Sequence, residues 1–372
     1  MNNRKIRVAI THGDTNGIGY ELIFKTFAEP EMLELCTPII YGSPKVAAYH
    51  HKALGIPGNF TIIKSAEDAE PGKLNLLPVF DEDVKVELGV PTPESGRAAV
   101  KALDRAITDY KDGLYDVLVT NPVDKQNMHL DGFDFTNDHF IEMCLGEGKK
   151  GLRILINGNL RVALLTNEVP LREVPAAITT EHIVSSAKIF IQALERDLQV
   201  SMPRIAVLAL NPNDTPEHHA QEEAEAIVPA IEELCQAGMN VFGPYQADHF
   251  YEQGDYTAFD GILAMYHDQG MAPVKALDPS ASVRFLAGLP LVTTSPDQTP
   301  EFGIAGTDQA DPAALRHAIY LAIDAFRNRE TYDEAASHPL PKLYHERKDE
   351  SEKVRFAIPK KHENVTKDKK QE

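Results

Sequence analysis

The sequence predicts an α/β protein, a mainly parallel sheet covered by helices, and three observations lead there. Short apolar runs rich in β-branched residues alternate with longer stretches of helical period along most of the chain. The strand-like runs stop at polar loops bearing glycine or proline, as successive βα units do. The length of 372 residues exceeds one small core. It suits either two lobes of roughly 150 residues each or one large α/β unit.

The elements follow in order. Arg7–Ile10 is the first strand, Gly13–Gly19 the turn after it, and Glu21–Phe27 opens a helix. Pro38–Tyr41 is a second strand, ending in Gly42-Ser43-Pro44. Ser95 is placed to cap a helix whose apolar face is Val100, Leu103, Ile107 and Tyr110, at spacings of three and four. That helix feeds the strand Val117-Leu118-Val119, which stops at Thr120-Asn121-Pro122-Val123-Asp124-Lys125. Ile205–Leu210 is a further strand, ending in Asn211-Pro212-Asn213-Asp214 and followed by an acidic helix over Gln221–Leu234. Asp260–Met265 ends in the loop Tyr266-His267-Asp268-Gln269-Gly270. Ligands of open α/β sheets gather beyond the carboxyl ends of strands, so these three strand-end loops are where chemistry is expected. From about Leu340 to Glu372 the composition changes: Lys360, Lys361, Lys367, Lys369 and Lys370 cluster and apolar periodicity is lost, the pattern of a solvated, largely disordered tail over 336–372.

Composition excludes several classes. Lys+Arg number 37 against 56 Asp+Glu, a formal charge of −19, which argues against nucleic acid as the main partner because phosphate backbones need surplus cations. Hydrophobic content of 43% and charged content of 25% are those of a folded chain. No segment approaches the roughly 20 apolar residues of a membrane span, and the first residues lack the apolar region of a secretory signal, so the expected compartment is the cytoplasm. The three cysteines, Cys36, Cys144 and Cys235, are widely spaced and are expected to be buried thiols rather than a disulfide framework or metal site.

Several residues carry possible chemistry. The turn Gly13-Asp14-Thr15-Asn16-Gly17-Ile18-Gly19 is either an anion cradle of backbone N–H groups or a tight turn that needs glycine for its angles; its spacing is neither the dinucleotide fingerprint nor the P-loop. Lys125 can bind phosphate or shuttle a proton, or be an ordinary surface lysine. His267 is a candidate metal ligand with Asp268 and Asp248, the plainer alternative being a hydrogen-bonded loop histidine. His218-His219 reads as solvent-exposed. Lys275 brings positive charge to the same end of the sheet.

The motifs Ile10-Thr-His-Gly-Asp-Thr-Asn-Gly-Ile-Gly-Tyr-Glu21, Thr120-Asn-Pro-Val-Asp-Lys125, Arg161-Val-Ala-Leu-Leu-Thr166, Leu210-Asn-Pro212, Ala264-Met-Tyr-His-Asp-Gln-Gly270, Ala287-Gly-Leu-Pro290 and Ile304-Ala-Gly-Thr307 together resemble the 4-hydroxythreonine-4-phosphate dehydrogenase (PdxA-type) family of pyridoxal phosphate synthesis, in order from about Arg7 to Asn328. The resemblance implies two α/β/α lobes with a cleft between them: residues 1–130 with about 285–335, and residues 131–284. It implies a homodimer whose site is completed across the interface. The implied reaction is NAD-dependent oxidation of 4-phosphohydroxy-L-threonine or a related phosphorylated hydroxy acid to a β-keto acid that loses carbon dioxide. A divalent metal (Mg, Mn, Co or Zn) acts as Lewis acid.

Carried over position by position, the family's three metal histidines fall at Glu168, Asn213 and His267, so only the third is histidine here. The substrate loop Gly-His-Thr-Glu is replaced by Asn137-Asp138-His139-Phe140, which makes Asp138 and His139 substrate-loop residues. Lys275 matches a substrate lysine, and the family's asparagine and arginine correspond to Arg284 and Thr293. Lys125 and Asp268 are the implied catalytic residues. Near the cofactor, His-Gly-Thr-Ala becomes Gln298-Thr299-Pro300-Glu301, and no cofactor-binding residue follows from it. Two readings of these departures stand side by side. In one the site is repurposed, its oxygen donors favouring Mg or Mn; in the other the chain is a binding or partner subunit of impaired activity.

Overall fold

The computed structural model describes residues 4–56, 59–80, 84–130, 133–134, 136–213 and 220–337. His218, His219, Asp214 and the charged tail beyond Ser337 lie outside the described residues. The chain divides into a compact unit Met1–Asp333 and a second unit Glu334–Glu372, of which only the end of the helix Ala313–Ser337 is described.

Fourteen strands are present among the described residues: Arg7–Thr11 (β1), Thr37–Gly42 (β2), Phe60–Ile62 (β3), Leu74–Pro78 (β4), Val117–Thr120 (β5), His129–Leu130 (β6), Phe133–Asp134 (β7), Leu152–Asn157 (β8), Leu160–Leu164 (β9), Arg204–Leu208 (β10), Asn240–Tyr245 (β11), Gly261–Ala264 (β12), Val283–Ala287 (β13) and Val292–Pro296 (β14). β6 and β7 form a separate ribbon. The other twelve make one sheet in the order β11-β10-β12-β9-β8-β13-β14-β5-β1-β2-β4-β3. The four strands from β11 to β9 are parallel to one another, as are the six from β14 to β3. Between them β8 runs antiparallel to β9 and β13, and β13 antiparallel to β14, so the two parallel sets run in opposite senses.

Burial explains the apolar composition of the strands. In β1, Val8 and Ile10 enter one core with Leu22 and Ile23 of the helix Gly19–Phe27 and Leu315 and Ile319 of the helix Ala313–Ser337. Ala9 points to the other face, where it joins Val100, Leu103 and Ile107 of the helix Pro93–Lys111 and Phe140 and Ile141 of the helix Asn137–Leu145. Strands covered on both faces read as continuous apolar runs, which is why they were legible as parallel strands. A third cluster packs Val162, Leu164, Ala206 and Ile262 against Val274 of the helix His267–Leu277.

Several expectations need correction. The helix Pro93–Lys111 is capped by Thr92, not Ser95: the Thr92 hydroxyl accepts from Ser95 N at 3.1 Å, and Ser95 Oγ accepts from Thr92 N at 3.3 Å in a reciprocal box. Pro93 at the first helical position, with φ preset for a helix, moves the start forward. The acidic helix starts at Gln221 as expected but widens over Glu223–Ile227 before the α-helix Val228–Gln236, and Pro229 near the start of that segment cannot donate to a regular ladder. Of the three cysteines, only Cys36 is buried, with its thiol pushed up to about 12 by desolvation; Cys144 is partly covered and Cys235 exposed. His267 lies in no loop: it is the first residue of the helix His267–Leu277.

Candidate functional site

The turn after β1 is the foundation of the site. Gly13 has φ +76°, and a Cβ there would sit 2.5 Å from Pro122 O; one at Gly17 would sit 2.8 Å from Pro300 O. Glycine therefore lets two site segments, 120–125 and 298–302, close onto this turn. Four of its seven N–H groups are satisfied internally: Asp14 N donates to Pro122 O (2.9 Å), Asn16 N to Asp14 Oδ1 (2.9 Å), Gly17 N to Asp14 O (3.1 Å) and Ile18 N to Pro300 O (3.1 Å). The tight-turn reading accounts for it, and these four groups are engaged within the protein.

After β5, buried Asn121 donates to Thr11 O at 2.9 Å, and Asp124 caps the short turn Lys125–Asn127 by accepting from Gln126 N at 3.0 Å. Lys125 is thereby held at the rim, and its ammonium donates to Glu168 Oε1 at 2.8 Å. Both belong to a network centred on a residue sequence reasoning missed. Arg153, on β8, is 7% exposed; its Nε donates to Asp138 Oδ2 at 2.6 Å, one terminal nitrogen to Asn167 Oδ1 at 2.7 Å, and the other lies 2.5 Å from Asp138 Oδ2 and 3.7 Å from Glu168 Oε1. Lys125, Asp138 and Glu168, predicted from three separate stretches of chain, thus meet through Arg153. The available signal was a lone charge in the apolar run Leu152-Arg153-Ile154-Leu155, since a buried charge demands partners.

A second network lies at the end of β14. Asp297 is fully buried and was also missed. It accepts from Arg284 Nε at 2.6 Å, from Lys275 Nζ at 2.8 Å and from Ser282 Oγ at 3.1 Å, and Lys275 donates to its backbone carbonyl as well. Burial alone would raise this carboxyl; the Arg284 charge and the Lys275 hydrogen bond and charge outweigh it and hold Asp297 below the usual carboxylate range. Lys275 and Arg284 are therefore brought together, pinned by one anion.

Two recesses open between these groups. One of about 540 Å³ is lined by Asp124, Lys125, Asp138, Arg153, Arg284 and Gln298 to Phe302, among others. The other, of about 530 Å³, is lined by Lys125, Asn167, Glu168, Tyr266, His267 and Asp268. Lys125 belongs to both. His267 Nδ1 lies 2.7 Å from Asp268 Oδ1, which orients the ring. Gln298 Oε1 is buried without a hydrogen-bond partner, and Glu301, beside it, holds a left-handed φ of +47° unusual outside glycine.

The remaining predicted residues are elsewhere. Asn213 is exposed and Asp248 accepts from His249 N at 2.9 Å; neither lines these recesses. His139 is on the helix Asn137–Leu145, its ring 4.0 Å from Glu142. Thr293 is 3% exposed inside the sheet, between Leu118 and Leu286, and its hydroxyl is unpartnered. Glu223, buried after β10, accepts from Leu210 N (2.7 Å) and Asn211 N (2.8 Å) and fixes the strand-end loop that leads to Asn213.

A divalent ion does not fit the donors as placed. Glu168 is already paired with Lys125, Asn213 does not line the recess that holds Glu168 and His267, and among the described residues no three His, Cys, Asp or Glu side chains converge. A dinucleotide fares better: the 540 Å³ recess is of ligand size, and the orphaned Gln298 Oε1 offers it an acceptor.

Residues 34–322 match the family model described as pyridoxal phosphate biosynthetic protein PdxA. A 4-hydroxythreonine-4-phosphate dehydrogenase of Bacteroides thetaiotaomicron is 48% identical over 364 residues, covering 96% of this chain and 98% of the relative. One from Sulfurihydrogenibium sp. is 34% identical over 321 residues, 86% of this chain and 98% of the relative. Among solved structures, a 4-hydroxythreonine-4-phosphate dehydrogenase from Klebsiella pneumoniae superposes with a TM-score of 0.74 at 25% identity, covering 88% of this chain and 99% of that one.

Proposed function

The chain belongs to the PdxA family, and from that premise we propose that it is an NAD-dependent dehydrogenase that oxidises, and then decarboxylates, 4-phosphohydroxy-L-threonine or a closely related phosphorylated hydroxy acid. The observation that carries the reading is the meeting of Lys125, Glu168 and Asp138, to which the family resemblance gives catalytic, metal and substrate-loop roles, through Arg153 at the junction of two recesses.

Bound NAD would supply the oxidant of the reaction, an acceptor for the hydride of the carbinol carbon. Gln298, through its free Oε1, with Thr299 and Glu301 beside it, holds the cofactor end of the larger recess. Arg284, half held by Asp297, faces the same recess and pairs with substrate phosphate or carboxylate. Lys125 Nζ, with one N–H on Glu168, donates another to the hydroxyl oxygen of the substrate and keeps its charge beside that oxygen as it becomes a carbonyl. With its Nδ1 proton on Asp268, His267 has Nε2 free to take the hydroxyl proton. In the β-keto acid the bond to the carboxylate breaks, carbon dioxide leaves, and the electron pair passes toward the oxygen at Lys125. His267 returns its proton to the carbon, so that one NAD is reduced and one carbon dioxide released per turnover.

The division into residues 1–130 with 285–335 and residues 131–284, a homodimer and a site completed across its interface belong to the same proposal and rest on the resemblance; a cytoplasmic location belongs to it too and rests on the sequence pattern. A second reading, a partner subunit of impaired activity, is favoured by one observation, the engagement of Glu168 by Lys125. Incubating the full chain with NAD and 4-phosphohydroxy-L-threonine separates them: rising NADH absorbance is expected, and a flat trace across phosphorylated hydroxy acids overturns the dehydrogenase reading.

A further inference from the structure

We propose that in this chain fixed protein cations, Lys125 braced by Arg153, do the work that the family resemblance gives to a divalent metal, so that the recess binds and turns over its anionic hydroxy-acid ligand without one. The inference rests on the dehydrogenase reading for its reaction, and on geometry for its site. Glu168, at a position where a metal donor is implied, accepts the Lys125 ammonium at 2.8 Å and has an Arg153 nitrogen 3.7 Å away. Asp138, in the neighbouring recess, is taken by two Arg153 nitrogens at 2.6 and 2.5 Å. These two carboxylates are thus each paired with a protein cation, and Asp268, the further carboxylate of the smaller recess, lies 2.7 Å from His267 Nδ1. An entering ion would have to share Glu168 with an ammonium and sit beside that positive charge.

The arrangement is built into the fold. Arg153 pairs with Leu286 in the β8–β13 ladder, so its backbone is fixed at the centre of the sheet. Its hydrogen bond to Asn167 Oδ1 at 2.7 Å holds the residue preceding Glu168. Arg153, with its own donors directed at Asp138 and Asn167, is a positioning residue. Lys125, 56% exposed at the side chain with one N–H on Glu168, is the group left to meet a ligand oxygen. An ammonium at a developing oxyanion supplies a hydrogen bond as well as charge, which a bare Lewis acid does not.

The test uses the full chain dialysed against EDTA. Calorimetric titration with Mn²⁺ and with Zn²⁺ is expected to show no stoichiometric binding, and NADH formation from 4-phosphohydroxy-L-threonine is expected to stay within twofold whether EDTA or Mg²⁺ is in excess. K125Q is expected to lower kcat on the order of 100-fold with KM changed only a few-fold. One ion bound per chain and lost in E168Q, or a tenfold fall in rate with EDTA that an ion restores, would overturn the proposal. Failure of the dehydrogenase reading looks different: no NADH under any condition, with the metal titration alone then deciding this inference.

Discussion

Asp297→Asn tests the electrostatics of the site most sharply, because one buried carboxylate holds two of the predicted substrate cations. The substitution keeps the shape and removes the charge, leaving Arg284 and Lys275 without an anion and placing an amide where two donors converge. Removing one member of a buried ion pair costs about 3–5 kcal/mol. Lys275 and Arg284 are 36% and 28% exposed at their side chains and can turn toward water, so the low end, about 3 kcal/mol, applies. At about 2 cal/mol/K of unfolding entropy per residue over the compact unit, that is a fall in Tm of roughly 4 °C by scanning calorimetry at neutral pH. The sign with pH is fixed. A carboxyl held below its ordinary value stabilises the fold above the unfolded pKa and loses that contribution as pH falls through the folded one. The gap between wild type and variant should therefore narrow on acidification below about pH 4. Equal Tm values at neutral pH, or a gap undiminished near pH 3, would refute the reasoning.

Three further outcomes are expected. His12 is fully buried against Tyr20, with neither ring nitrogen partnered, and burial lowers its pKa from 6.5 to about 4. Its neutral form is favoured in the folded state, so stability is full above pH 6.5 and falls as pH drops toward 4. The loss is about 3 kcal/mol, read as a shift in urea midpoint that His12→Phe largely removes; a pH-independent difference would contradict it. Arg153→Lys cannot reach Asp138 and Asn167 together from a single ammonium, and should lower stability by about 2 kcal/mol while raising KM; unchanged values of both would argue against the positioning role. Gly13→Ala forces a left-handed residue into Pro122 O, and a loss of about 3 kcal/mol with weakened turnover is expected; wild-type thermal stability would show that the Lys125 loop does not depend on this turn.

Five of the parallel strands, β1, β2, β5, β10 and β12, were legible because they are buried along nearly their whole length and read as apolar runs, whereas the partly exposed edge strands β3 and β11 were not. The antiparallel centre was not: β8, β9 and β13 each carry a charged residue, Arg153, Arg161 and Arg284, that interrupts the apolar run, although Asn157-Gly158-Asn159 between β8 and β9 is a hairpin signal. The helix start at His267 was hidden because Tyr266 offers no side-chain cap and Pro273 lies inside the helix. In the site, residue types at strand ends pointed to Lys125 and His267, and the family resemblance to Glu168, but their neighbours were invisible. Arg153 and Asp297 gain meaning only from partners 13 to 22 residues away, brought near by sheet pairing rather than by local periodicity. Asn213 and Thr293 show the converse: a position in a motif does not place a side chain in a recess.

Carbon dioxide released from carboxyl-labelled 4-phosphohydroxy-L-threonine, counted against NADH formed, tests the central claim most directly. The account predicts one of each per turnover by the full chain, with both falling together in K125Q. Neither product, or NADH formation that Lys125→Gln leaves intact, would contradict it.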